Sequence, residues 1–114
     1  MNLICDTVGD IMTVRVVDPH RIDAACAIQF KDSMRAATKS APDRVVLDMA
    51  DVEFVDSSGL GAIVAVMKQL SGQATLEPAA LTENVQKVFH LTRMDTVFKI
   101  HASAQQAVAE GRPG

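Results

Sequence analysis

The chain has 114 residues, 48% of them hydrophobic and 22% charged, and a net charge of −3. That size supports one globular domain spanning residues 1–114 around one core, and the acidic balance argues against a nucleic-acid partner. Its only aromatics are four phenylalanines, too few for a base-stacking platform.

Leu3-Ile4-Cys5 and Met12-Thr13-Val14-Arg15-Val16 read as two short strands joined by a Gly9-Asp10 turn, an N-terminal β-hairpin. From Ile22 to Lys39 the apolar period becomes helical. Cys26, Phe30, Met34 and Ala37 make one face, and Lys31, Asp32, Arg35 and Lys39 the other. Pro42-Asp43 ends that helix, and the unbroken run Val45-Val46-Leu47 predicts a central strand covered on both faces. Leu60, Ile63, Val64, Met67 and Leu70 recur at helical spacing, which predicts a helix over 57–70 stopped by Gly72.

Ala74-Thr75-Leu76 follows as a short strand ended by Pro78, and Thr82 is placed to cap a helix with inner face Val85, Val88 and Phe89. Val97-Phe98-Lys99-Ile100 reads as a last strand. Ser103 and Gln106 form a capping box for a short final helix closed by Gly111 and Pro113. The pattern predicts an α/β domain with a mixed, mainly parallel sheet of four to five strands and about four helices.

Cys5 and Cys26 match no metal or redox spacing and read as buried thiols in a reducing compartment. No basic-plus-apolar leader is visible, and no apolar run approaches membrane-spanning length. The expectation is a cytoplasmic protein without membrane insertion.

Between Val55 and Leu60 stands Asp56-Ser57-Ser58-Gly59, beyond the Val45–Leu47 strand and at the carboxyl end where α/β sheets collect working residues. Enzyme readings of this turn fail. Val55 and Asp56 stand where a nucleophile elbow needs glycine. The turn has no P-loop ending and completes no dinucleotide fingerprint. His20, His90 and His101 lack metal-ligand spacing, and no serine opens an S-x-x-K motif. The reading is a non-enzymatic protein without cofactor or metal.

A helix cap needs only one of these polar residues. Here the turn leads into Gly61, Ala62 and Ala65, placed opposite the apolar stripe as a flat face. Such a face either packs against another helix of the domain or docks a partner. A helix start tolerates an anion well, and a phosphoserine there adds about −1.5 to −2 charges that a docked partner would meet as repulsion.

The segment RVVLDMADVEFVDSSGLGAIVAVMKQL resembles the signature of STAS domains, in particular the small stand-alone anti-sigma-factor antagonists of bacteria. The hairpin, RIDAACAIQFKDSMRAA and VFHLTRMDTVFKIHAS extend the likeness over nearly the whole chain. The resemblance implies partner switching. The unphosphorylated antagonist binds an anti-sigma factor that is also a GHKL-type serine kinase, phosphorylation releases it, and a PP2C-type phosphatase restores it. It implies Ser57 as phosphoacceptor, with Ser58 the minor alternative. The implied binding surface comprises Asp56, Ser58, Gly59, Gly61, Ala62 and Ala65, together with Asp23 before the first helix.

Two departures stand out. His20-Arg21 replaces the glycine often found before the Ile22-Asp23 pair, and Glu77-Pro78 interrupts a strand that is usually longer and apolar. A rival reading is an accessory subunit docked constitutively on the ATPase of a phospholipid-trafficking ABC transporter; a small serine hydrolase is a distant third, since no base is evident.

Overall fold

Asn2–Val8 (β1) and Ile11–Asp18 (β2) pair antiparallel across a tight turn in which Gly9 takes a φ of +60°. The computed structural model describes residues 1–110, so the expected helix stop at Gly111 and Pro113 lies outside the described residues. The remaining elements are β3 (Arg21–Ile22), α1 (Ala27–Ala37), β4 (Arg44–Asp48), β5 (Phe54–Val55), α2 (Ser57–Leu70), β6 (Thr75–Ala79), α3 (Glu83–Leu91) and α4 (Ala104–Glu110). The main sheet runs β1-β2-β4-β6, parallel except for the hairpin, and β3 pairs with β5 as a separate parallel ribbon.

β4 lies between two neighbours and its Val45, Val46 and Leu47 are fully buried. That position explains an apolar run without alternation. Val45 and Leu47 face the main core with Phe30 and Met34 of α1, Leu60, Ile63 and Val66 of α2, and Val85 and Phe89 of α3. Val46 faces the other side, where Ala107 of α4 closes a smaller cluster with Ile11 and Ala79.

Three elements depart from the sequence expectation. The strand expected at Ala74-Thr75-Leu76 is β6, which runs on through Pro78 to Ala79, an edge strand where a missing N–H is tolerated. α1 starts at Ala27 rather than Ile22, because Ile22 is drawn into β3 opposite Val55 and residues 23–26 turn first. Val97–Ile100 forms no strand. Met94–Thr96 makes a single 3-10 turn, Val97 is 50% exposed, and only His101 bridges β6, at Ala79. His101 N–H donates to Pro78 O at 2.9 Å, and Ala80 N–H to His101 O at 3.0 Å. Extending that parallel pairing one step towards Lys99 requires an N–H on residue 78, and proline has none.

Arg44 and Glu77 tie the sheet to the last helix. Arg44 donates to both oxygens of Glu77 (2.8 and 2.6 Å) and to Ala107 O (3.3 Å). Thr75 Oγ1 donates to Glu77 at 2.7 Å. His101 lies between two carboxylates, 2.7 Å from Glu77 and 3.0 Å from Glu110. Burial alone would raise the Glu77 carboxyl. The Arg44, His101 and Thr75 hydrogen bonds outweigh it and hold the group down at about 2.

Candidate functional site

Asp56 sets the start of α2. Its backbone is extended, and Oδ1 accepts from Gly59 N–H at 2.7 Å, so the aspartate and not a serine is the cap. Its Oδ2 accepts from Ala24 N–H at 3.0 Å, which fastens the loop before α1 to the same carboxylate. Ser57 and Ser58 therefore occupy the first turn of α2, both exposed and neither needed for capping.

Gly59 is buried, and its role is packing rather than contact with a partner. A Cβ built there would lie 1.8 Å from Ile22 O, so α2 can approach β3 this closely only with glycine. Ala62 departs from the expected outward face as well, being 3% exposed and part of the main core. The reason is that α2 buries a broad stripe of Gly59, Leu60, Ala62, Ile63, Val66 and Leu70, packed on the sheet and on α1 together. Gly61 is exposed with open space where a Cβ would stand, and Ala65 is half-buried at the margin. In the N-terminal half of α2 the outward surface is thus Ser57, Ser58 and Gly61, bordered by Ala65.

Asp23 is only partly exposed and is held by its own loop. Its carboxylate accepts from Arg21 at 2.8 Å, from Ala25 N–H at 3.1 Å and from the Cys26 thiol at 3.4 Å. Burial would raise its carboxyl, but the Cys26 thiol, the Arg21 charge and the Ala25 N–H together hold it below the usual range. The Ala24–Asp56 bond sets the loop that carries Asp23 beside Asp56. Sequence reasoning passed over that main-chain link, which carries no side-chain signature at residue 24. It also passed over Phe54, whose alternation with buried Val55 was the available signal.

Cys26 is buried as expected, whereas Cys5 is an exposed free thiol on β1, the hairpin's outer strand, of which only Leu3 packs against the core. Among the described residues, no group of three or more His, Cys, Asp or Glu could hold a metal ion, and no helix is long and apolar enough to cross a membrane.

The chain is 34% identical over 74 residues to a Thermotoga maritima protein provisionally named an anti-sigma-factor antagonist. That alignment spans 61% of this chain and 63% of the relative, less than two thirds of its length. A second relative, the anti-sigma-F factor antagonist RsfB of Mycobacterium tuberculosis, is 23% identical over 92% of this chain and 93% of its own. In fold, the chain is similar to the Bacillus anti-sigma-factor antagonist SpoIIAA. In the unphosphorylated form the TM-score is 0.74 at 18% identity, covering 99% of this chain and 100% of that one. In the phosphorylated form it is 0.68 at 17% identity, covering 97% and 100%. The family model of the STAS domain matches residues 2–107, which take in the whole sheet and the serine-bearing start of α2. The chain belongs to the STAS-domain family.

Proposed function

We propose that this protein is an anti-sigma-factor antagonist that switches partners through phosphorylation of Ser57. In its unmodified form it binds an anti-sigma factor that is also a GHKL-type serine kinase. Phosphate on Ser57 separates the pair, and a PP2C-type phosphatase restores binding. The observation that carries this reading is the exposed Ser57 hydroxyl in the first turn of α2, left free because Asp56 supplies the cap. An anion there meets the unpaired N–H groups and the positive end of the helix, so the domain accommodates it. A partner docked on the same turn meets about −1.5 to −2 new charges that must be desolvated. The names of the relatives support an anti-sigma factor as the partner.

The test is incubation with candidate GHKL-type kinases and ATP, followed by intact-mass analysis and titration calorimetry. Wild-type protein is expected to gain one phosphate and then lose affinity. Ser57→Ala should bind as wild type, resist labelling and melt within about 0.5 kcal/mol of it, as exposed sites do. Ser57→Asp should stay folded and bind about 30-fold more weakly, the low end of a buried uncompensated charge. Equal affinity of the two variants, or labelling of Ser57→Ala at Ser58, removes Ser57 from the switch.

A further inference from the structure

Three of the four phenylalanines, Phe30, Phe89 and Phe98, are at most 4% exposed. The fourth, Phe54, is 51% exposed. It lies on β5, whose register with β3 sets Ile22 beside Val55 and Arg21 beside Phe54. Ile22 and Val55 form the buried side of this ribbon, so Arg21 and Phe54 form its outer side. Arg21 pairs with Asp23 at 2.8 Å while its side chain stays 56% exposed.

An exposed apolar residue by itself means little. Phe54 is distinguished by what the ribbon joins. β5 runs directly into the Asp56 cap of α2, Phe54 precedes Ser57 by three positions, and Asp56 also holds the loop that carries Asp23. Phenylalanine and arginine are both enriched at protein interfaces relative to the rest of the surface. We infer that Phe54 is the apolar anchor of the partner-docking surface, flanked by Arg21 and continuous with Ser57. The inference rests on the proposed function and deepens it. The partner it fits is a kinase whose docking surface holds an apolar pocket for one phenyl ring beside the cleft that receives Ser57.

The experiment uses a kinase that labels wild-type Ser57. Phe54→Ala and Phe54→Thr are compared with wild type by calorimetry and by steady-state phosphorylation. Threonine suits a half-exposed strand position, so a folding defect confined to the alanine variant leaves the measurement intact. Both variants are expected to bind about 30-fold more weakly. Both should show a raised KM for phosphorylation with unchanged kcat, since Phe54 does not touch the reacting hydroxyl. Leu91→Ala serves as control: Leu91 is 82% exposed at the far end of α3 from Thr82, which bonds to Val52 before β5. Its affinity should stay within about twofold of wild type, as for a site outside the interface. Folded Phe54 variants that bind as wild type does, or a Leu91→Ala loss as large as theirs, overturn the anchor and leave the proposed function standing. If no GHKL-type kinase binds or labels the wild type, the proposed function and the anchor fall together.

Discussion

Asp56 and Gly59 do the local work that leaves the serines free. The two oxygens of Asp56 are divided between Gly59 N–H and Ala24 N–H, so one side chain fixes both the start of α2 and the loop before α1. Gly59 then lets the helix meet Ile22 at a distance no other residue permits. A pair of substitutions separates close approach from helix propensity. Gly59→Ala places a methyl 1.8 Å from a backbone oxygen, and thermal melts should show a loss of about 3 kcal/mol or more. Gly61→Ala meets nothing within 4 Å and should gain about 0.5–1 kcal/mol from reduced chain entropy. A harmless Gly59→Ala variant would show that α2 is not pressed against β3.

At the scale of elements, α2 serves the core and the surface at once. Its buried stripe is wider than an a/d-type seam because the sheet and α1 both pack on it, which is how Ala62 moves inside and, in the first half of the helix, Ser57, Ser58 and Gly61 remain outward beside the margin at Ala65. Leu60→Asp puts a charge at a site 7% exposed among core residues. The cost of several kcal/mol rivals the whole stability margin of about 5–15 kcal/mol, so no cooperative melt is expected. Ala65→Asp, at the half-buried margin, should retain the melt and weaken kinase binding. Loss of the melt in both variants would place Ala65 in the core.

For the whole molecule, stability in acid should be governed by Glu77, which joins β4, β6 and the segment leading into α4 through Arg44 and His101. Its carboxyl is lowered from 4.5 to about 2 on folding. A depressed acid contributes its stability above the unfolded value and loses it as pH falls from about 4.5 through about 2. The loss across that window is on the order of 3 kcal/mol. Urea melts of wild type and Glu77→Gln between neutral pH and pH 2 check this. The variant should be less stable at pH 7, where it leaves the largely buried Arg44 without its counter-charge. Its acid slope should be shallower by the Glu77 share. Parallel slopes would mean that other carboxylates carry the acid transition.

Local periodicity determined most of the elements. The two-residue alternation of β2, the unbroken Val45-Val46-Leu47 run and the helical spacing from Leu60 to Leu70 each follow from contacts within one element, so the sequence alone specifies them. The DSSG turn at the head of a helix was legible for the same reason, since caps are written in neighbouring residues. Tertiary structure decided what depends on a second segment. Ile22 leaves the first helix because Val55 offers it a strand partner, and Gly59 and Ala62 turn inward because Ile22 and α1 cover them. Val97–Ile100, apolar enough for a strand, fails to become one because the neighbouring edge lacks an N–H at Pro78. The link from the Asp56 cap to the loop before α1 was likewise settled at a distance, since its other oxygen accepts from Ala24 N–H, thirty-two residues away.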